Sequence, residues 1–355
     1  MPHFKKPRVL FVLKLRHQSG GESTILKHSG LFNSAMFVKD MLYENGYVAD
    51  LVQVVDNNQI DAQVKKHNPD VVIIEALWVV PEKFDVLRKL YPHIKWIVRL
   101  HSELPFLANE GIALEWINKY LHMKNVYISA NSDLAQRDLE NYFNASMYPD
   151  LYRKIIFLPN YYPVKSAKML PRMFWNVGGT INVGCFGAIR PMKNHLVQAA
   201  AAVEFAEQRG LKCKFHINSG RVEGKGDTVL KNLRAFFHGL GGRHVLVEHG
   251  WLDRTEFLQL VRQMDIGLQV SLSESFNIVS ADFVNEDIPI VTSTEVDWMP
   301  IFFTSKATDA HKIANAMARV LIYNRYFDWV DWPRKSLKKY VERTERIWVD
   351  KLNKL

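Results

Sequence analysis

Two acidic side chains, Glu274 and Asp282, lie in segment 271–293 with seven residues between them. Glu274 follows the apolar, strand-like run 265–272 on a serine-rich turn. If residues 276–287 are helical, Asp282 lies two turns further on and on the same side as Glu274. Such a pair could accept hydrogen bonds from the hydroxyls of a sugar and of a ribose. The alternative is a first-turn acid favoured by the helix dipole, followed by a solvated carboxylate.

A second candidate site is a turn rich in cationic side chains. The strand-like run 181–189 leads into this turn, which contains Gly187, Arg190 and Lys193. Backbone N–H groups at the start of the following helix, together with Arg and Lys, form an anion site suited to a diphosphate. The alternative is a basic surface loop.

Histidine chemistry is a third candidate, because His101 lies at the end of the strand-like run 95–102 and precedes a loop. Arg99 and Glu103 are its neighbours along the chain. On its own, a histidine in such a place can be structural or can contact a ligand. The 13 histidines show no metal-ligand spacing and no Asp-x-Asp lies at a strand end, so no required metal is predicted.

The length of 355 residues is too great for one ordinary core, so two domains are predicted. Hydrophobic residues make up 48% and charged residues 23%, an ordinary globular composition. No apolar run reaches the roughly 18 residues of a membrane-spanning helix. Lys14 and Arg16 interrupt the apolar run near the N-terminus, which is predicted to be a buried strand and not a signal peptide.

Cysteine content and charge bear on the location and the partners. Cys185 and Cys213 lie in strand-like runs, which indicates a reducing compartment, no disulfide framework and a cytoplasmic location. A virus-encoded origin is compatible with these features. The net charge of +9 could attract a polyanion, an anionic membrane surface or a phosphorylated small substrate. The alternative is a basic enzyme surface without such a partner.

Short apolar runs alternate with helical periodicity in both halves of the chain. This alternation is typical of parallel strands buried on both faces, so the predicted fold class is α/β with two doubly wound, Rossmann-like domains facing a cleft. The strand-like runs are 8–15, 48–55, 70–77, 95–102 and 126–132, then 181–189, 212–220, 244–250, 265–272 and 289–293.

Segment 158–180 interrupts this alternation with three prolines and two glycines, which predicts an inter-domain linker. The predicted domains are 1–165 and 166–335, and a final helix, 336–355, is expected to cross back to the first. Tandem domains of this kind bind ligands between the carboxyl ends of their strands.

These motifs, taken in order, resemble the retaining GT-B nucleotide-sugar glycosyltransferases, especially the family 4-like (group 1) enzymes, over most of the chain. The resemblance rests on five segments: "SGGES" at 19–23, "RLHSELPF" at 99–106, "IIFLPNYYP" at 155–163, "VGCFGAIRPMKN" at 183–194 and "SLSESFNIVSADFVNEDIPIVTS" at 271–293.

The resemblance implies a role for each candidate residue. Glu274 would contact the transferred sugar and Asp282 the donor ribose, while Arg190 and Lys193 would neutralise the pyrophosphate. His101 would lie on the acceptor side, with Arg99 and Glu103 nearby. The remaining donor-binding residues would be Gly20, Gly21, Gly187, Ser273, Ser275, Phe276, Asn277 and Ile278. UDP is the expected donor nucleotide, and no cofactor is expected beyond this co-substrate.

The sequence departs from the family pattern at two positions. Asp282 stands where the family usually has Glu, and Ala188 stands where an arginine usually follows the glycine of the phosphate turn. Arg190 comes two residues later, while Lys193 keeps its expected offset from Gly187. An arginine at this later position also resembles the phage β-glucosyltransferases that modify DNA, over few residues.

The predicted function is therefore sugar transfer with retention, by attack on the same face as the departing diphosphate. The expected acceptor is a hydroxylated base on DNA, because basic residues in 221–234 and 333–339 would meet the phosphates of a duplex. An envelope polysaccharide or lipid is the alternative acceptor. Helix 31–45 carries one lysine against two acids and is expected to be a poor membrane anchor, although peripheral membrane contact stays open. The same motifs are compatible with a nucleotide-sugar epimerase or with a catalytically silent sugar-nucleotide-binding protein.

Overall fold

The computed structural model describes residues 6–15, 29–165, 179–326 and 331–355. The chain divides into two compact units. The first comprises Met1–Pro163 with Val341–Leu355, and the second comprises Val164–Tyr340. Each unit contains a six-stranded sheet in which all the pairings between strands are parallel.

The first unit has the strand order β2-β1-β3-β4-β5-β6. Its elements in chain order are β1 Arg8–Lys14, α1 Gly30–Glu44, β2 Val48–Val54, α2 Gln59–His67, β3 Val71–Glu75, α3 Pro81–Leu90, β4 Lys95–Arg99, α4 Leu104–Leu107, α5 Ala113–His122, β5 Val126–Ala130, α6 Asp133–Asn144 and β6 Ile155–Phe157. Successive residues of β1 alternate between two cores: Leu10 and Val12 belong to one, and Phe11 and Leu13 to the other. Burial on both faces explains why the inner strands of this sheet are mostly apolar, whereas the edge strand β2 contains Asp50 and Gln53.

The second unit has the strand order β12-β11-β10-β7-β8-β9. Its elements are β7 Thr180–Gly184, α7 His195–Glu207, β8 Lys212–Asn218, α8 Gly226–Gly239, β9 Val245–His249, α9 Arg254–Val261, β10 Ile266–Gln269, α10 Ile278–Asn285, β11 Ile290–Ser293, β12 Thr304–Ser305, α11 Ala310–Tyr326 and the first part of α12, Asp331–Lys354. The α/β class predicted from the sequence is confirmed by these two sheets.

Helix α10 approaches its sheet closely because two strand positions are glycines. The ring of Phe283 packs on Gly184 of β7 and Gly267 of β10. A Cβ atom added at either glycine would lie 2.9 Å or 2.6 Å from that ring, closer than van der Waals contact allows. These glycines therefore set the distance between the strands and α10, the helix that contains Asp282.

The last part of α12 packs in the first unit. Trp348 is buried there, and its indole N–H donates to the carbonyl of Pro159 at 2.8 Å. Arg343 forms an ion pair with Asp133 at 2.7 Å. The division of the chain therefore assigns Val341–Leu355 to the first unit, although these residues follow the whole second unit in sequence.

None of the helices in the described ranges combines the length and the apolar character that a bilayer crossing requires.

Candidate functional site

The turn after β7 exposes backbone at the carboxyl edge of the second sheet. Gly187 has a φ of 113°, in the region that favours glycine, and its N–H donates to the Asn218 side-chain oxygen at 3.1 Å. Nothing lies within 4 Å of the position that a Cβ would occupy at Gly187. The turn is thus held by the end of β8 and leaves space for a group to approach its backbone.

Two side-chain amides connect the start of α7 to the residue that follows β10. The Asn194 side chain donates to the carbonyls of Val270 and Ala307 at 3.0 and 2.6 Å. The Gln198 side chain accepts from the Val270 N–H at 2.8 Å and donates to the Lys193 carbonyl at 2.7 Å. These contacts bring Lys193, which precedes α7, to the loop that follows β10.

Lys193 and Glu274 form an ion pair through the ammonium and Oε1. Both side chains are largely buried, with 12% and 8% of their surface exposed. Burial and the nearby charge of Arg190 lower the pKa of the Lys193 ammonium, and the Glu274 carboxylate opposes this effect. The predicted sugar-contacting acid and the predicted phosphate-contacting lysine are therefore direct partners in this structure.

Arg190 lies beside a carboxylate that is not among the site residues predicted from the sequence. Its guanidinium is 3.7 Å from Glu223, which also pairs with Arg221. The Arg221 guanidinium stacks 5.1 Å from the centre of the Trp251 ring. Ile189 donates its N–H to the Arg221 carbonyl at 2.9 Å, so a backbone hydrogen bond holds the two loops together.

Asp282 is almost fully buried and is not a solvated position. Arg254, the first residue of α9, contacts both of its oxygens, at 2.6 and 3.4 Å. Two-point contact of this kind fixes the plane of a carboxylate. Arg254 is therefore a second functional candidate that sequence reasoning missed, because it lies 28 positions before its partner.

The predicted donor-binding residues 273–277 lie in the loop before α10, and Ile278 is the first residue of that helix. Asn277 has a φ of 56° and caps α10 by accepting from the Ser280 N–H at 2.9 Å. Phe276 is buried with its ring 5.8 Å from Trp298 and 5.3 Å from Tyr340. Of the other predicted residues, Ser273 is buried, and Ser275 and Ile278 are half-buried. Phe276 and Asn277 thus shape the loop from within.

Two further titratable groups lie near Glu274 and Lys193. Burial and the charge of Glu274 raise the pKa of the Glu295 carboxyl. Burial, aided by the charges of Lys193 and Arg190, lowers the pKa of His195 to about 3. Among the described residues, neither ring nitrogen of His195 has a hydrogen-bond partner. His195 is therefore a neutral ring next to the cationic turn.

In the first unit, His101 belongs to a buried cluster of three charged or titratable side chains. Its Nε2 contacts Oε2 of Glu75, the last residue of β3. Arg99, the last residue of β4, lies 3.2 Å from both Glu75 oxygens. Glu75 and Arg99 are fully buried, whereas 16% of the His101 side chain is exposed. Sequence reasoning missed Glu75 because a strand-ending glutamate has many structural explanations.

The other predicted acceptor-side residues, Arg99 and Glu103, are buried. Arg99 also donates to the carbonyls of Leu158 and Pro159 and to the Asn160 side chain, at 3.1, 3.2 and 2.7 Å. Glu103 accepts from the hydroxyl of Ser132, the cap of α6. Both side chains hold the loop around His101 to the neighbouring segments.

The structure therefore brings the predicted residues together in two places. Arg190, Lys193 and Glu274 form one cluster in the second unit, and His101 with Arg99 belongs to the cluster in the first. Gly20 and Gly21 lie outside the described residues. Within the described ranges, no group of three His, Cys, Asp or Glu side chains is placed to hold a metal ion.

No protein-family profile and no curated protein sequence matches the chain. Solved structures do match it over nearly their whole length. They include a glycosyltransferase from Rickettsia africae, with 13% identity, 99% of both chains covered and a TM-score of 0.66. They also include Anabaena HepE in complex with UDP-glucose, with 15% identity, 98% of this chain and 100% of that one covered, and a TM-score of 0.67.

A third similar structure is an α,α-trehalose-phosphate synthase (UDP-forming) from Burkholderia vietnamiensis, with 12% identity and a TM-score of 0.68. The match covers 99% of this chain and 98% of that one. At such identities the likeness establishes the fold. The predicted pair of Rossmann-like domains of the GT-B type is thereby confirmed, whereas the local resemblance to phage DNA glucosyltransferases stays a prediction.

Proposed function

We propose that the protein is a glycosyltransferase that moves a sugar from a UDP-sugar to an acceptor hydroxyl. The observation that carries the proposal is the cluster of Arg190, Lys193 and Glu274 at the carboxyl edge of the second sheet. Supporting it, one protein of the same fold was solved with UDP-glucose and another is described as a UDP-forming synthase.

The donor diphosphate would bind to Arg190 and Lys193. Each cation contacts a carboxylate in this structure, Glu223 for Arg190 and Glu274 for Lys193. A bound diphosphate would compete for these cations and would also meet the open backbone at Gly187. When the bond to the sugar breaks, negative charge develops on the diphosphate, and preorganised cations stabilise it.

The ribose would bind to Asp282 and the transferred sugar to Glu274. Ribose contact needs a carboxylate of defined orientation, and the Arg254 guanidinium supplies that orientation through its two contacts. Aspartate is one methylene shorter than the usual glutamate, so its carboxylate lies closer to the backbone of α10. Arg254 is thus a positioning residue for the donor site.

Retention is part of the proposal. Asp282 is almost fully buried and paired with Arg254, which makes it a poor nucleophile, and Glu274 is assigned to a hydroxyl of the transferred sugar. Attack on the face that the diphosphate leaves, with the diphosphate accepting the acceptor proton, needs no protein nucleophile. Arg190 and Lys193 supply positive charge at the leaving group, and we therefore propose a reaction that needs no metal ion.

A hydroxylated base on DNA is the proposed acceptor. The net charge of +9, spread along the chain, favours a polyanion. An envelope glycan or lipid is the alternative acceptor. Two buried free cysteines, Cys185 and Cys213, suit a reducing compartment, so a cytoplasmic location belongs to the same proposal.

A transfer assay tests this function. Radiolabelled UDP-sugars are offered with hydroxymethylated DNA, with plain DNA and with an envelope glycolipid extract. We expect transfer to hydroxymethylated DNA that survives EDTA and is lost in Arg190→Ala. Lys212→Ala, which removes an exposed lysine at the amino end of β8, is the matched control and should keep wild-type activity. Transfer to the glycolipid alone would overturn the DNA acceptor, and turnover to a free epimerised sugar nucleotide would overturn transfer itself.

A further inference from the structure

Helices α9 and α10 are joined by two ion pairs between an arginine and a carboxylate. Arg254, the first residue of α9, contacts Asp282 in α10. Arg262, which caps the end of α9, contacts Oε2 of Glu286 at 2.6 Å, and Glu286 caps the end of α10. The Glu286 N–H also donates to the Asp282 carbonyl at 2.9 Å, so the two acidic residues lie one helical turn apart. The two helices are therefore held to each other at two points along their length.

Glu286 is a buried carboxylate that binds two cations. Its side chain has no exposed surface, and Oε1 contacts the Lys165 ammonium while Oε2 contacts the Arg262 guanidinium. Burial by itself would raise the pKa of the Glu286 carboxyl, but hydrogen bonds from Lys165 and Arg262 hold the pKa below its ordinary value. Glu286 is therefore ionised at neutral pH and joins two segments that are distant in sequence.

Lys165 reaches the end of α10 through its backbone as well as its side chain. Its N–H donates to the Asn285 side-chain oxygen at 2.8 Å, and its ammonium contacts Glu286. Lys165 is the second residue of the second unit, which begins at Val164. The first residues of this unit are therefore held to the last turn of α10 by a main-chain and a side-chain contact.

Another cation lies at the same end of α10. Arg334 is buried, and its Nη2 donates to the carbonyls of Val284 and Asn285 at 3.2 and 3.5 Å. Arg334 also pairs with Asp287, which follows the helix cap. Positive charge is favourable at the carboxyl end of a helix, because the last carbonyl groups lack partners within the helix. Three cations therefore meet the last turn of α10.

These polar contacts do what apolar packing on the sheet does not do by itself. The packing of Phe283 on Gly184 and Gly267 sets the distance between α10 and the strands. Apolar contact is non-directional, so it leaves the helix free to shift along its axis. Hydrogen-bonded ion pairs are directional, so the links at Asp282 and Glu286 fix the register of α10 against α9.

We infer that Glu286 is a positioning residue for the binding of the nucleoside half of the donor, and that Lys165 and Arg262 act through it. The inference rests on the proposed function, which makes Asp282 the ribose contact. Loss of the Glu286 charge or of Lys165 allows α10 to shift against α9. The Asp282 carboxylate is then displaced, and UDP binds more weakly although Lys165 itself does not contact the donor.

The diphosphate contacts should not depend on Glu286. Lys193 precedes α7, where the Gln198 side chain donates to its carbonyl at 2.7 Å, and Arg190 lies beside Glu223. Inorganic pyrophosphate would meet these cations but has no ribose. The comparison of UDP with pyrophosphate therefore distinguishes a local shift of α10 from a general loosening of the second unit.

The first test is calorimetric titration of both ligands into wild type, Lys165→Ala and Lys165→Arg. Lys165 suits this test because 47% of its side chain is exposed, so its removal should leave the protein folded. We expect the affinity for UDP to fall about 5-fold in Lys165→Ala and to recover in Lys165→Arg, with the affinity for pyrophosphate unchanged. The control Lys312→Ala removes an exposed ion pair with Asp309 in the same unit and should bind UDP like wild type. Unchanged UDP affinity in Lys165→Ala, or an equal loss of pyrophosphate affinity, would overturn the inference.

Kinetics of a second variant give a readout that a merely structural role would not move. Glu286→Gln keeps the shape of the side chain and removes the charge that holds both cations. We expect the KM for the donor to rise about 10-fold at nearly unchanged kcat, because ribose contacts are similar in the ground and transition states. A fall in kcat at unchanged KM would contradict the positioning role.

Hydrogen exchange of the ligand-free protein decides the positioning without reference to the donor. We expect the amides of α10 to exchange faster in Lys165→Ala than in wild type, and those of α7 to exchange at the same rate in both. Unchanged exchange in α10 would contradict the inference whatever ligand binds. Absence of UDP binding to wild type, together with the expected exchange, would instead reject the proposed function and leave the positioning of α10 by Glu286 intact.

Discussion

The two ionic clusters of this protein differ in how deeply their charged side chains are buried and in how many hydrogen bonds hold them. In the first unit, Glu75 and Arg99 have no exposed surface, and the guanidinium donates to the carboxylate, to two carbonyls and to an amide. In the second unit, Lys193 and Glu274 keep some exposure, and Arg190 is 3.7 Å from the Glu223 carboxylate. The first cluster is built into the sheet edge, whereas the second lies between loops.

This difference indicates that the first cluster orients a neighbouring side chain, whereas the second can exchange a carboxylate partner for a phosphate. A buried pair held by fixed backbone acceptors cannot change partners without breaking the fold, so it can only orient a neighbour such as His101. Pairs between loops can release one carboxylate and accept a phosphate, because both partners keep access to water. We therefore expect substitutions in the first cluster to affect stability most, and substitutions in the second to affect catalysis most.

Arg99→Ala should have the largest effect. It leaves the Glu75 charge buried without its arginine, which typically costs about 3–5 kcal/mol of the free energy of unfolding. Urea denaturation measures this loss. Arg343→Ala is the control: it removes an exposed ion pair with Asp133, also in the first unit, and should cost about 1 kcal/mol or less. Equal losses in the two variants would contradict the contrast between the clusters.

Lys193→Ala should reduce kcat about 100-fold or more, because removal of one charge stabilising the leaving group costs about 3 kcal/mol of the activation free energy. Steady-state release of UDP from the donor measures it, and thermal unfolding checks that the variant is folded. A wild-type rate in the folded variant would mean that the cationic turn does not contact the leaving group.

Asp282→Ala should weaken donor binding about 10-fold, since ribose contacts are similar in the ground and transition states. Arg254→Ala should have a smaller effect in the same direction, because it removes the support of the carboxylate and keeps the carboxylate itself. Donor titrations by calorimetry compare the two. A loss of kcat at unchanged donor affinity would contradict the ribose role.

The pH dependence of stability should show the smallest effect. The pKa of His101 lies below its ordinary value of 6.5, so the unfolded chain binds this proton first as the pH falls. The stability linked to His101 is thus present above pH 6.5 and is lost as the pH falls below that value. His195, His216 and His249 act in the same direction. The comparison of wild type with His101→Asn isolates the contribution, and the variant should lose less stability between pH 7 and 5.

Much of the fold could be predicted from the sequence, because strands buried on both faces are almost wholly apolar. The run 70–77 contains β3 and the run 265–272 contains β10, each with residues beyond the strand. The two-residue strand β12, Thr304–Ser305, was missed, since so short a segment has no periodicity.

The site was predictable only where its residues are close in sequence. Gly187, Arg190 and Lys193 lie on one turn, and Glu274 and Asp282 lie on one loop and helix. Glu75, Glu223 and Arg254 could not be predicted, because sheet register and loop packing bring them to the predicted site residues. Glu75 meets Arg99 across two strands, Glu223 meets Arg190 from the loop after β8, and Arg254 meets Asp282 from the preceding helix.

The exchange of carboxylate partners for a diphosphate is tested most directly by calorimetric titration of UDP. The experiment compares wild type, the double variant Arg190→Ala/Lys193→Ala and the control Lys212→Ala at fixed ionic strength. We predict binding to wild type and to the control with equal affinity, and a loss of about 100-fold or more in the double variant, equivalent to about 2.7 kcal/mol. Equal affinity of wild type and the folded double variant for UDP would contradict the account.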